Sequence, residues 1–141
     1  APLVQENCKQ EEPLFVHAPI EDLSVPECQE PLRRLLLQLL EQMLVTKNDS
    51  NGNNNNNAIY VHCWGGRGRA GLVGAGLLTL LYPHISASTI LQWIQQAYAT
   101  RAGHEHLAPE YAQSPQTSAQ RAYVECFVHE YRDLMKDASS E

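Results

Sequence analysis

Residues 62–71 read His-Cys-Trp-Gly-Gly-Arg-Gly-Arg-Ala-Gly, a glycine-rich run between two apolar segments. The preceding residues 58–61 have the composition of a short buried strand, and residues 72–81 are apolar enough for a helix buried on nearly all sides. The glycines let successive N–H groups point into one concavity, and the positive end of the following helix favours an anion there. The run therefore predicts a strand, an anion-binding turn and a helix.

Cys63 and Arg69 carry the chemistry of this run. A thiol at a helix N-terminus or beside a cation has its pKa lowered from about 8.5 to roughly 3.5–7.5, so we expect a thiolate at neutral pH. Arg69 lies at the end of the loop, and its planar guanidinium can bind two phosphoryl oxygens at once. This pair is suited to phosphoryl transfer. The alternative is a glycine-rich turn around an ordinary buried cysteine.

The run resembles the H-C-x-x-G-x-G-R-[S/T]-G signature of protein tyrosine and dual-specificity phosphatases. The resemblance implies a hydrolase with a phosphocysteine intermediate on Cys63, Arg69 as clamp and no cofactor. It also implies a three-layer α/β domain from about Leu14 onward, short at its N-terminal end, with a small, mostly parallel central sheet flanked by helices. The positions that match are His62, Cys63, Gly66, Gly68, Arg69 and Gly71. The implied phosphate-binding residues are Trp64, Gly65, Gly66, Arg67, Gly68 and Arg69, with His62 in support.

The proton donor is expected upstream of the cysteine. Residues 19–26, Pro-Ile-Glu-Asp-Leu-Ser-Val-Pro, resemble the P-I-x-D-x-x-x-P acid loop of dual-specificity phosphatases of the kinase-associated type. This resemblance makes Asp22 the general acid and Glu21 its neighbouring rival. An aspartate after a proline is also a common turn residue. The tryptophan that opens the loop in tyrosine-specific relatives is missing, which favours the dual-specificity branch.

Residues 116–120, Gln-Thr-Ser-Ala-Gln, match the Q-T-x-x-Q element with which tyrosine phosphatases position the hydrolytic water. The match makes Gln116 and Gln120 candidate supporting residues. Thr117 followed by Gln120 is also a capping box, which alone would explain the pattern at a helix start. The two interpretations are compatible and both stay open.

Two positions bear on activity and substrate class. Ala70 stands where the family usually has Ser or Thr, whose hydroxyl helps the sulfur to leave, so we expect slow breakdown of the phosphoenzyme. A weakly active or inactive phosphate-binding module is therefore an alternative function.

Arg67 occupies a position that is basic in lipid-directed relatives, which makes a phosphoinositide phosphatase the second alternative, unless Arg67 faces only solvent. Trp64 is expected to pack or to form a pocket wall.

The rest of the chain predicts helices around this turn. Apolar residues at helical spacing predict helices over residues 31–45, 86–100 and 116–135, and residues 13–17 have the pattern of a short strand. The Asn-rich residues 47–57 are too polar to repay the entropy of ordering, so we expect a mobile loop. With no repeat and no linker, residues 1–141 are expected to form a single phosphatase domain.

Composition limits the partners. Ten basic and sixteen acidic side chains give a net charge of -6, which argues against a nucleic acid partner. The resemblance to the phosphatases implies a phosphorylated protein as substrate. No apolar run approaches the roughly 20 residues of a membrane span, and the N-terminal residues lack a signal-peptide pattern. The scattered cysteines predict reduced thiols in the cytoplasm or nucleus, of which we expect the cytoplasm, and no metal site is expected near Cys63. The sequence does not define an oligomeric state.

Overall fold

The computed structural model describes residues 14–44 and 58–140. Its regular structure in those residues is helical, and the helices that periodicity predicts are confirmed with small shifts at their ends. A short 3-10 helix, His104–His106, follows the third α-helix. The α-helices are α1 (Gln29–Leu44), α2 (Arg69–Leu81), α3 (Ala87–Ala99) and α4 (Ser118–Ser139).

The predicted three-layer α/β fold with a central sheet is wrong for the described residues. Neither residues 14–17 nor residues 58–61 form a strand, and no sheet occurs in either described range. A strand needs a neighbouring strand to satisfy its backbone N–H and C=O groups, and these segments have none. Residues 14–17 are exposed, while Ile59 and Val61 pack against a helical core. The apolar pattern of residues 58–61 therefore reflects partial burial against helices rather than strand pairing.

α2 lies at the centre of the core because its sequence is apolar on nearly every side, and it contacts the other three α-helices. Its glycines permit close approach. A Cβ added at Gly76 would lie 2.7 Å from Cδ1 of Leu36 in α1, and one at Gly74 would lie 3.3 Å from Cδ1 of Ile94 in α3. The buried apolar cluster comprises Leu32, Leu36, Leu40, Leu72, Ala75, Leu77, Leu80, Ile90, Val124, Phe127 and Val128.

The helix starts differ in a way that matters for the site. α4 begins with the predicted capping box, in which Gln120 N–H donates to Oγ1 of Thr117 at 3.1 Å and Thr117 N–H donates to Oε1 of Gln120 at 3.1 Å. α2 begins after Gly68, and no described side chain caps it. The first N–H groups of α2 are therefore left to an anion or to the neighbouring sulfur.

Several predictions fall outside the described residues or concern ligands. The Asn-rich residues 47–57 and Cys8 lie outside the described ranges. Within those ranges, no helix has both the length and the apolar composition needed to cross a bilayer. The same residues contain no group of three or more His, Cys, Asp or Glu side chains arranged to hold a metal ion.

Candidate active site

Cys63 lies at the end of the irregular segment that precedes the bend into α2, and its side chain is half-buried. Backbone N–H groups of Gly66, Arg67 and Ala70 donate to its sulfur. Burial is the largest single influence and raises the pKa of the thiol, but these donors and the charge of Arg69 together outweigh it. The net result is a lowered pKa, which favours the thiolate.

Two glycines give the Cys63 loop its shape for different reasons. Gly66 has φ of 65°, in the left-handed region that side chains rarely adopt, and this turns the chain around the sulfur. Gly68 is pressed against the start of α4. A Cβ at Gly68 would lie 3.0 Å from Nε2 of Gln120 and 3.2 Å from Oε1 of Gln116. A side chain at Gly66 would therefore be strained by the backbone conformation, and one at Gly68 would require Gln116 and Gln120 to shift.

The predicted clamp and the predicted acid are brought together. Nη2 of Arg69 lies 3.2 Å from Oδ1 of Asp22, and Nη1 of Arg69 donates to the carbonyl of Ile20 at 3.3 Å. Both arms of the guanidinium thus contact the acid loop, residues 19–26. The rival Glu21 contributes its backbone carbonyl, which accepts the N–H of Ser24 at 3.1 Å. Geometry favours Asp22 over Glu21 as the carboxylate nearest the clamp.

The acid loop is held from both of its sides. Oδ1 of Asp22 accepts the N–H of Leu23 at 3.0 Å, and Leu23 has φ of 62°, a strained value for a residue with a side chain. The fully buried Gln120 donates from Nε2 to the carbonyl of Ser24 at 3.1 Å. The loop is therefore tied to α2 through Arg69 and to α4 through Gln120.

Gln120 and Gln116 occupy neighbouring positions beneath the Cys63 loop. Oε1 of Gln120 accepts the N–H groups of Gln116 and Thr117, at 3.0 and 3.1 Å. Capping and loop support thus account for the polar contacts of Gln120. Oε1 of Gln116 lies against Gly68. The role of either glutamine in positioning water stays a prediction.

The remaining predicted site residues lie near the surface. The ring of His62 stacks on Tyr60, with the centroids 5.6 Å apart. Trp64 is 95% exposed, so of its two expected roles packing is wrong, and a pocket wall stays a prediction. The guanidinium of Arg67 donates to the carbonyl of Tyr111. Of its two alternatives, facing solvent or facing ligand, the structure favours neither, because the side chain is engaged by backbone.

Sequence reasoning missed two residues that contact the Cys63 loop from outside. Oγ of Ser114 donates to the carbonyl of Arg67 at 2.7 Å and fills the space that a Cβ at Gly71 would need, 2.3 Å away. Nη1 of Arg101 donates to the carbonyl of Gly65 at 2.9 Å. A serine before a proline and an arginine after a helix are common, so no local pattern distinguishes them.

Comparison with known proteins gave one family. Residues 2–124 match the family model described as PTP-SAK, the Swiss Army Knife protein, DSP-PTPase phosphatase domain. The matched range includes the Cys63 loop, the acid loop and residues 116–120. No curated protein and no solved structure gave a match.

Proposed function

From the premise that the chain belongs to the DSP-PTPase phosphatase family, we propose that it is a cysteine-dependent protein phosphatase hydrolysing phosphotyrosine, with phosphoserine and phosphothreonine as further substrates. One observation carries the proposal. Cys63 receives backbone N–H donors and lies in the field of Arg69, whose guanidinium contacts Asp22. Hydrolysis of a phosphate monoester through sulfur needs a nucleophile, a clamp and a proton donor, and these residues supply the three groups.

In the first chemical step, the Cys63 thiolate gives an electron pair to phosphorus and an S–P bond forms. The bond between phosphorus and the substrate oxygen breaks, and protonated Asp22 gives its proton to that oxygen. The N–H groups of the loop and the fork of Arg69 hold the phosphoryl oxygens while charge moves. Because Arg69 contacts Asp22 in the structure, an arriving phosphate must share or replace that contact.

In the second step, water attacks the phosphorus of the phosphocysteine. The S–P bond breaks, its electrons return to Cys63 as thiolate, and the Asp22 carboxylate takes the proton of the water. Phosphate leaves and the site is restored. The lowered thiol pKa makes Cys63 a better leaving group in this step as well as an available nucleophile in the first.

The test is hydrolysis of para-nitrophenyl phosphate and of a phosphotyrosine peptide by the intact chain and its variants. We expect Cys63→Ser to fall to background and Cys126→Ser, which changes an exposed cysteine on α4, to keep activity. Asp22→Ala should lower kcat for the peptide by about 10²–10⁴. An intact chain no faster than Cys63→Ser contradicts the proposal.

A non-catalytic phosphate-binding module is the second candidate, because Ala70 lacks the hydroxyl that assists the departing sulfur. The N–H of Ala70 nonetheless donates to the sulfur, so the departing thiolate keeps a donor from this residue. Calorimetric titration with inorganic phosphate separates the two functions, since binding without turnover identifies the module. The phosphoinositide alternative depends on Arg67, whose guanidinium donates to the backbone carbonyl of Tyr111.

A further inference from the structure

We propose that Arg101 is a positioning residue that fixes the orientation of two successive peptide planes in the Cys63 loop. The inference deepens the proposed function and rests on it only for the role of Cys63 as nucleophile. Arg101 follows α3 and lies 36 residues along the chain from Gly65. Its Nη1 donates to the carbonyl of Gly65 at 2.9 Å and lies 3.5 Å from the carbonyl of Gly66.

Because each peptide unit is planar, a contact to a carbonyl on the outside of the loop also fixes an N–H group on its inside. In a trans peptide unit, the carbonyl of one residue and the N–H of the next are held in one plane and point in opposite directions. The Gly65 carbonyl shares its plane with the N–H of Gly66, and the Gly66 carbonyl shares its plane with the N–H of Arg67. Both N–H groups donate to the sulfur of Cys63. Holding the carbonyls outward therefore holds the N–H groups inward.

These planes have little else to fix them. A Cβ added at Gly65 would meet no atom within 4 Å, and Gly66 has φ of 65°. Glycine visits both signs of φ, so rotation of the unit between these residues meets little steric resistance. A rotated unit would turn a carbonyl oxygen, instead of an N–H, toward a thiolate or a phosphate. The charged donor on Arg101 opposes that rotation more strongly than a neutral donor would.

Arg101 is itself positioned by the end of α3. The guanidinium of Arg101 lies over the ring of Tyr98, 5.4 Å from the centroid. The backbone N–H of Arg101 donates to the Tyr98 carbonyl at 3.1 Å. Tyr98 is buried, and the ring of His104 packs edge-on against it with centroids 5.4 Å apart. No carboxylate in residues 14–44 and 58–140 forms an ion pair with Arg101. The guanidinium is thus directed to the loop without competition from those carboxylates.

Alkylation of Cys63 by iodoacetamide as a function of pH, followed by mass spectrometry of its peptide, tests the proposal. Arg101→Ala should raise the midpoint of the alkylation profile and slow alkylation below the midpoint by about three- to tenfold, since one pKa unit corresponds to tenfold. Arg101→Lys, which keeps the charge but not the fork, should lie between Arg101→Ala and the wild type. The charged side chains of the Cys63 loop and the acid loop are unchanged in these variants: Glu21, Asp22, Arg67 and Arg69.

Ser114→Ala is the matched control. It also removes a side-chain donor from the outside of the loop, but the Arg67 carbonyl it releases shares a plane with the N–H of Gly68, which is not among the donors that lower the Cys63 pKa. We expect its profile to stay near that of the wild type. An unchanged midpoint in Arg101→Ala, or an equal shift in Ser114→Ala, overturns the proposal. A shift in Arg101→Ala that disappears at about 1 M salt assigns the effect to the charge of Arg101 alone and overturns the proposal too.

Thermal unfolding shows whether each variant is folded. If Arg101→Ala does not fold, Arg101→Met, which keeps the apolar stem but removes the donor, decides alone: a raised midpoint supports positioning and a wild-type midpoint refutes it. Alkylation needs no phosphate ester, so this result is independent of turnover. Failure of the proposed function is instead seen as a lack of hydrolysis by a protein whose alkylation profile still responds to Arg101.

Discussion

Oδ1 of Asp22 lies 3.2 Å from Nη2 of Arg69, so the expected proton donor is paired with the expected phosphate clamp. The Asp22 side chain is 69% exposed and that of Arg69 is 25% exposed. Solvent screens such a pair, whose contribution to stability is about 0–1 kcal/mol. The contact is therefore weak enough to be exchanged for a phosphate.

Asp22→Ala should change binding and turnover in opposite directions. Removing the carboxylate frees Arg69, so inorganic phosphate should bind up to about fivefold more tightly, the equivalent of about 1 kcal/mol. Turnover should fall because the leaving oxygen loses its proton donor. Titration calorimetry with phosphate, compared with kcat for a phosphotyrosine peptide, checks both effects. Glu21→Ala is the control, because it removes one negative charge at the neighbouring residue. An equal gain in phosphate affinity in Glu21→Ala would attribute the effect to net charge.

The lowered thiol pKa of Cys63 predicts how stability depends on pH. Because the folded thiol loses its proton at lower pH than the unfolded one, its contribution is present above the ordinary thiol pKa of about 8.5 and is lost as pH falls through the folded pKa. The unfolding free energy of the wild type minus that of Cys63→Ser should therefore rise with pH between those two values. Urea unfolding at a series of pH values measures it. A difference that is flat, or that falls with rising pH, contradicts the prediction.

Ala70→Ser should accelerate the second half of the reaction. A hydroxyl that donates to the departing sulfur stabilises a charged group, by about 1–3 kcal/mol for such a bond. The wild type should show a burst of leaving group before steady turnover, and Ala70→Ser should show a smaller burst with faster turnover. Stopped-flow mixing with para-nitrophenyl phosphate resolves the two phases. Absence of a burst in the wild type, with no gain in Ala70→Ser, refutes this.

Gln120→Met should destabilise the protein more than removal of the cap alone. The substitution keeps the side-chain size but leaves the N–H groups of Gln116 and Thr117 and the carbonyl of Ser24 without their partner, at about 1–3 kcal/mol for a buried polar group. Thr117→Ala, which loses only the cap, should cost about 1 kcal/mol. Urea unfolding compares them. Equal losses in the two variants would show that support of the acid loop contributes nothing.

The helices were predictable because their signal is local. Apolar residues at three- and four-residue steps place α1, α3 and α4, and the Thr117 capping box marks where α4 begins. The absence of a sheet from residues 14–44 and 58–140 could not be predicted in the same way. Strand pairing depends on a second segment elsewhere in the chain, and the apolar run at residues 58–61 contains no information about whether one is present.

The residues of the candidate site differ in the same way: some could be recognised from local sequence and others could not. Cys63 and Arg69 could be identified because the loop and its chemistry are contiguous, and Asp22 because its surrounding loop resembles a known element. Arg101 and Ser114 reach the loop from distant parts of the chain, 36 and 47 residues from the carbonyls they bind. Only the packing of α3 and of the segment before α4 brings them there.

Four contacts that support the site share one feature: a side chain donates and a main-chain carbonyl accepts. Arg69 binds the carbonyl of Ile20, Arg101 that of Gly65, Ser114 that of Arg67 and Gln120 that of Ser24. A main-chain carbonyl is retained when the side chain of its residue is replaced, whereas a side-chain donor is lost by substitution. Mutational tolerance around the site should therefore be uneven, with positions such as Ile20 and Ser24 free to vary and their donors constrained. In evolutionary terms, we expect sequence drift at the accepting positions and constancy at the donating ones.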